Sequence, residues 1–313
     1  MKSADTLDME PVPRHVAGAN RAARVQRAAA SARHGWSARQ ALPERLIISP
    51  RGPVTRLRMS RAAKRNALDG AMIAGLERCF RAPPAGTRAI VVHGDGRHFC
   101  AGVDLSTITD TTAAAGIHLS RACHRAFEPI EHDQVPVIVV LHGAVIGGGL
   151  ELAAAAHIRV AERRAYDALL GGARGIFVGG GGSVRLPRLI GTARMMDMML
   201  TGRTYGAEEG APLGFSPYVV ADGQGLVKGI ELAERMATNA VLSNFAIVQA
   251  LPRMARADPE TWLLMERLMA AIAVSDDEAK ARLKVFLEKR ASKVTHRADA
   301  EPAPSTRAAS TGA

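Results

Sequence analysis

Two stretches of the 313-residue chain bring together residue types that can do chemistry: Arg97–Leu105 (RHFCAGVDL) and His142–Val160 (HGAVIGGGLELAAAAHIRV). Each is a glycine-containing turn at the end of a hydrophobic, β-type segment. Glycine lets a backbone N–H approach a ligand closely and tolerates the φ values such turns need. In the second stretch Gly147–Gly149 open an alanine-rich helix. Gly148 therefore lies where the first amides are unpaired and the helix dipole favours negative charge. Glu151 follows about one helical turn later and can reach the same point. Main-chain donors converging beside a carboxylate can cradle an oxyanion. They polarise a carbonyl, make its α-proton removable and stabilise the enolate as it forms. The same residues also fit a tight strand-to-helix packing turn with a first-turn charge, and residue types alone do not choose between the two.

Other reactive types read more plainly. The run Gly179–Gly182 lacks the Lys-Ser/Thr that follows a phosphate loop and reads as packing or turn geometry. His93, His98, His142 and His157 fall at strand ends without HExxH or other ligand spacing, so no metal site is expected. Cys100 adjoins the first turn with no identifiable histidine partner, which suits a packed residue better than a nucleophile. Met195–Met199 have helical core spacing.

The elements that must position these turns follow from hydrophobic period and turn signals. Arg45–Ser49 and Val54–Met59, separated by Pro50-Arg51-Gly52-Pro53, predict a hairpin. Asp69 is placed to cap a helix over Gly70–Arg81, where Met72, Ile73, Leu76 and Phe80 share one face. Ala89–Val92, Val135–Leu141, His157–Val160 and Tyr218–Ala221 predict strands, with a helix over Thr112–Ile130 between the first two. Tyr166–Gly175 reads as a loop, followed by helices at Ser183–Ile190 and Thr192–Leu200. From Gly223 to Arg290 the pattern predicts helices only: Leu226–Thr238, Ser243–Ala255, Glu260–Ala273 and Asp276–Arg290. Repeated strand–strand–helix units give an α/β fold that is not a doubly wound sheet.

Composition narrows the function classes. Of the net charge of +11, residues 1–43 hold +4, residues 44–290 hold +6 and residues 291–313 hold +1. A mildly basic body with 4% aromatic residues and no dense Lys/Arg patch excludes a nucleic-acid footprint and suits an anionic, phosphorylated ligand. The apolar runs are too short for a membrane span. Cys79, Cys100 and Cys123 form no CxxC and no even framework, which points to a reducing compartment, expected to be the cytoplasm. Residues 1–43, arginine-rich and acid-poor after Pro11, read as a basic disordered extension, or as a presequence in a mitochondrial protein. The expected divisions are this extension, a core over 44–222, a helical region over 223–292 and a disordered tail over 293–313.

The chain resembles the crotonase, or enoyl-CoA hydratase, superfamily over roughly Leu46 to Lys293. The matching motifs are KRNALD (Lys64–Asp69), HFCAGVDL (His98–Leu105), HGAVIGGGLELA (His142–Ala153), GGGGSVRLPRLIG (Gly179–Gly191) and FLEKRA (Phe286–Ala291). The resemblance implies a crotonase (ClpP-like) spiral of ββα units with a helical C-terminal trimerisation region, assembled as a homotrimer or dimer of trimers. It implies an acyl-CoA thioester substrate, with coenzyme A as part of the substrate rather than a tightly bound cofactor. Carried over by motif, the oxyanion-hole amides fall on Val103 and Gly148, and a catalytic carboxylate falls on Glu151. Lys64, Arg65 and Ala101 fall where the family binds coenzyme A. Phe286 and Lys289 fall where the C-terminal helix often completes that site, sometimes on a neighbouring subunit. The departure is Gly171, at the position of the family's second catalytic glutamate. Asp167, Glu162 and Arg174 are the nearby ionisable residues, and Asp167 is the candidate substitute carboxylate. Hydration of a 2-enoyl-CoA leads. Another enolate-centred reaction (decarboxylation, isomerisation or thioester hydrolysis) and a catalytically weakened acyl-CoA-binding homologue are the alternatives.

Overall fold

The computed structural model describes residues 43–107, 112–132, 135–254, 258–288 and Arg290. Expectations for Lys289, for the tail over 293–313 and for the N-terminal extension before Pro43 lie outside the described residues.

The chain opens with the antiparallel hairpin β1 (Leu46–Arg51) and β2 (Val54–Met59), in the place its Pro-Arg-Gly-Pro turn predicts. Helix α1 (Gly70–Arg81) starts at Asp69, whose carboxylate accepts the Met72 N–H at 2.9 Å and satisfies one orphan amide of the first turn. Strand β3 (Ala89–Gly94), helix α2 (Ala113–His132) and strand β4 (Val137–Leu141) follow. All five residues of β4 (VIVVL) are buried, as in a strand covered on both faces. Next come β5 (Ala144–Ile146), α3 (Gly148–Ala155), β6 (Ile158–Glu162), β7 (Tyr166–Ala168), the one-turn α4 (Gly171–Arg174), α5 (Gly182–Ile190) and α6 (Thr192–Thr201). Then β8 (Thr204–Gly206), the short α7 (Ala207–Gly210) and β9 (Tyr218–Val220) lead to α8 (Gly225–Ala237), α9 (Val241–Met254), α10 (Pro259–Ser275) and α11 (Asp277–Leu287).

Six strands form one sheet in the order β1-β2-β3-β4-β6-β9, parallel after the opening hairpin. A smaller sheet runs β5-β7-β8. The pairs β4/β5 and β6/β7 explain the architecture: the first strand of each joins the large sheet, the second joins the small one, and a helix follows. This is the ββα unit, and the fold is the crotonase spiral with its helical C-terminal region. Side-chain alternation divides the core. Val91, Ile138 and Val160 pack under α8, with Leu232 and Ala233, while Ile90, Val92 and Val139 face α1 and α2.

Three strands escaped the hydrophobic pattern, because β5, β7 and β8 are three residues each, too short to show alternation. Tyr166–Gly175 is accordingly no simple loop: it holds β7 and α4. β7 exists because it finds an edge on each side, Val145 opposite Asp167 in β5 and Tyr205 opposite it in β8. Among the described residues no helix is long and apolar enough to cross a membrane.

Candidate active site

The two glycine turns meet at one end of a cleft of about 320 Å³ whose wall includes Val103, Gly148, Glu151, Gly171, Arg174 and Phe177. The first turn is pinned from both sides. On one side the Leu68 N–H donates to Gly102 O at 2.8 Å, and the Asp104 N–H donates to Leu68 O at 2.9 Å. In this bridge Val103 is the middle residue, so its own N–H points away from Leu68 and toward the second turn. On the other side Cys100 N–H donates to Ala144 O, and Ile146 N–H donates to Cys100 O. Below the turn Arg61 Nη1 lies 2.8 Å from Asp104 Oδ2. Bonds from Ser106 and then from Arg61 hold the Asp104 carboxyl down at about 2, so Asp104 stays charged next to Val103.

Two left-handed glycines make the approach possible. Gly102 has φ +90°, and Gly147 has φ +51° as it leads into α3. A β-carbon at Gly102 would stand 2.8 Å from Ile146 O and 3.2 Å from the Gly148 N. One at Gly148 would stand 3.3 Å from the Val103 N. The amides of Val103 and Gly148 thus face one region of the cleft, the second at the N-terminus of α3.

Glu151 is buried, at 3% exposure, one turn into α3. Its Oε1 accepts two backbone N–H groups, from Gly180 at 2.7 Å and Gly182 at 2.8 Å. This gives the glycine run a definite task. A β-carbon at Gly182 would sit 2.7 Å from Glu151 Cγ, and one at Gly180 would sit 2.8 Å from the Phe127 ring. Four consecutive glycines are the sequence signal, but only the spatial pairing with Glu151 tells what they hold.

The remaining expected residues divide. Ala101 lines the cleft, and its N–H donates to Arg65 O at 2.9 Å. Lys64 and Arg65 are exposed, next to the first turn but outside the cleft wall. Phe286 on α11 is 64% exposed and is not brought to the cleft by its own protomer. Gly171 does lie on the wall, at the start of α4, and a β-carbon there would meet Ile176 O at 2.7 Å. A larger residue at 171 therefore requires the Ile176 backbone to move.

Asp167 is not the substitute carboxylate. It is buried within β7, off the cleft wall, and burial raises it to about 7 against the opposing field of Arg159. Glu162 is equally remote, accepting the Gly225 N–H at 3.0 Å. Glu151 is the one carboxylate on the wall among the described residues. Cys123, which no sequence motif singles out, lines the cleft; burial and then the Glu151 charge push its thiol up to about 12. Cys100 is fully buried and pushed to about 12 as well, a neutral packed group. Among the described residues no group of three or more His, Cys, Asp or Glu could hold a metal ion.

A six-stranded sheet, a smaller three-stranded one and a spiral of ββα units define the crotonase class of fold, and two glycine turns and a buried glutamate share its cleft wall. The chain belongs to the enoyl-CoA hydratase/isomerase family, whose model matches residues 51–297. It is 30% identical over 258 residues to an enoyl-CoA hydratase of Mycobacterium tuberculosis, covering 78% of this chain and 94% of that one. Among solved structures it resembles a candidate enoyl-CoA hydratase from Rhodopseudomonas palustris at 55% identity and a TM-score of 0.77, covering 79% of this chain and 96% of that one. An enoyl-CoA hydratase from Bacillus anthracis aligns at 29% identity and a TM-score of 0.75, covering 79% and 97%.

Proposed function

We propose that this protein adds water across the double bond of a 2-enoyl-CoA thioester with a single carboxylate, Glu151. The observation that carries the reading is the pair of amides, Val103 and Gly148, on the same cleft wall as a glutamate clamped by two N–H groups. In the proposed sequence the thioester oxygen sits between the two amides. Water adds to C3 as Glu151 takes its proton, and the double-bond electrons move onto the thioester oxygen as an enolate. The enolate then collapses, and C2 takes the proton held on Glu151. Oε1 is occupied by the glycine run, which leaves Oε2 as the proton carrier. Lys64, Arg65 and Ala101 hold the coenzyme A portion, outside the acyl cleft and at its edge.

The test is Glu151→Gln. General acid–base catalysis contributes about 10²–10⁴-fold, so turnover of a short enoyl-CoA should fall by that factor while binding of a saturated acyl-CoA persists. Unchanged turnover would remove Glu151 from its role. Gly171 favours one further reading, an enolate-centred reaction that needs the amides but not a carboxylate pair. Malonyl-type or β-keto thioesters turning over where enoyl thioesters do not would select it.

The same reading includes a homotrimer or dimer of trimers. Its support is the apolar surface of the C-terminal helices, where Phe245, Ile247, Leu251, Leu263, Leu264 and Leu268 are exposed in the single chain. Phe286 would then complete a neighbouring subunit's coenzyme A site. A monomer in sedimentation equilibrium would overturn the assembly without touching the chemistry.

A further inference from the structure

The acyl cleft carries a second charge that hydration does not use. Its wall is mostly apolar, with Leu119, Ile146, Leu169, Ile176 and Val178 among the residues lining it. One acidic and one basic side chain stand on it among the described residues, Glu151 and Arg174. Glu151 is satisfied by the glycine run. Arg174, by contrast, is exposed, and its guanidinium has no hydrogen-bond or ion-pair partner among the described residues. Its place is nevertheless fixed. It is the last residue of α4, a turn closed by Gly175 in the left-handed region and seated on α6, where a β-carbon at Gly172 would meet Met199 O at 2.6 Å. A planar guanidinium with five donors, held at an apolar wall and left without an internal acceptor, suits a bidentate anion on the ligand.

Resting on the acyl-CoA reading above, we propose that Arg174 selects acyl chains that end in a second carboxylate, so that the substrates are dicarboxylic acyl-CoA thioesters. The phosphates of coenzyme A are the other source of anionic oxygens. Lys64 and Arg65, the cations assigned to them, lie outside this cleft, whereas Arg174 lies on it with Glu151. The position also fits the departure at Gly171, three residues earlier on α4. The wall that lacks a carboxylate there presents a cation, and two neighbouring negative groups on enzyme and substrate would repel each other.

The experiment measures binding of glutaryl-CoA, butyryl-CoA and free coenzyme A by calorimetry to the full chain and to its Arg174→Gln and Arg174→Lys variants. Saturated esters report binding whether or not the protein hydrates anything. The wild type should prefer glutaryl-CoA over butyryl-CoA. Arg174→Gln should reduce that preference by about 10- to 100-fold, the range of a charged hydrogen-bonded pair. Arg174→Lys, which keeps the charge and loses the fork, should retain part of it. Equal affinity of the wild type for the two esters would overturn the proposal and leave the acyl-CoA reading standing. A parallel loss on all three ligands in Arg174→Gln would assign Arg174 to a coenzyme A phosphate and also overturn it. Failure of the wild type to bind any of the three would instead sink the acyl-CoA reading itself.

Discussion

Glu151 owes its position to two residues with no side chain. Gly180 and Gly182 deliver N–H groups to Oε1 at 2.7 and 2.8 Å only because nothing projects from their α-carbons toward Phe127 and the carboxylate. The β-carbon of Gly182→Ala would stand 2.7 Å from Glu151 Cγ and 2.9 Å from Oε1. The carboxylate must then turn, and small misplacements of a catalytic group cost up to about 10²-fold in rate. Gly182→Ala should therefore lower kcat by at least about tenfold, with a smaller effect on the affinity for a saturated acyl-CoA. Stopped-flow or steady-state kinetics beside a binding isotherm separates the two. A rise in the dissociation constant that accounts for the whole loss would place Gly182 in binding rather than in carboxylate positioning.

At the scale of elements, helix α1 and the turn bearing Val103 share one cation. Arg61 Nη1 lies 2.8 Å from Asp104 Oδ2 and 3.6 Å from Asp69 Oδ2, and Asp69 also pairs with Arg45. Asp69 is at once the cap of α1 and a partner of the arginine that braces the turn bearing Val103. Replacing a capping aspartate with alanine costs about 1 kcal/mol, equivalent to roughly 2–4 °C in a chain of this size. Asp69→Ala should show at least that shift in thermal melts, whereas Asp69→Asn, able to cap but not to pair as a carboxylate, should recover part of it. Equal melting of both variants would mean that the ion pairs, not the cap, carry the contribution.

For the whole molecule, a half-buried histidine and a buried aspartate set opposing pH limits. His157 is pushed down to about 4 by burial, with Nδ1 accepting the Val137 N–H at 2.9 Å. A lowered histidine contributes stability above its free value of 6.5, and that contribution is lost as pH falls toward 4. Asp167 behaves oppositely. Raised from 3.8 to about 7, it contributes most when protonated, and its contribution is lost as pH climbs through that interval. Asp167→Asn keeps the shape and removes the charge. It should therefore melt above the wild type at pH 8, and the gap should close toward pH 4. A gap independent of pH would show that folding does not raise the Asp167 carboxyl above its free value.

Much of this was legible in the residues. The hairpin turn, the Asp69 cap, the apolar face of α1, the continuous apolar run of β4 and the four C-terminal helices each follow from local spacing, because short-range periodicity reflects which face is buried. The two glycine turns and Glu151 were visible for the same reason: backbone freedom and helix starts are local properties. The three-residue strands were not, since each exists only through edges supplied by segments distant in sequence. Nor was the fate of the carboxylates. Asp167, Glu162 and Glu151 lie within seventeen residues of one another, yet one is buried between strands, one ties down α8 and one lines the cleft. The sequence by itself determined which backbone amides could be freed and which helix would present them. Only the tertiary structure decided which charged groups share a wall, because that depends on how strands far apart in the chain stack, and on the space that Gly180 and Gly182 leave for Glu151 and that Ile176 denies at Gly171.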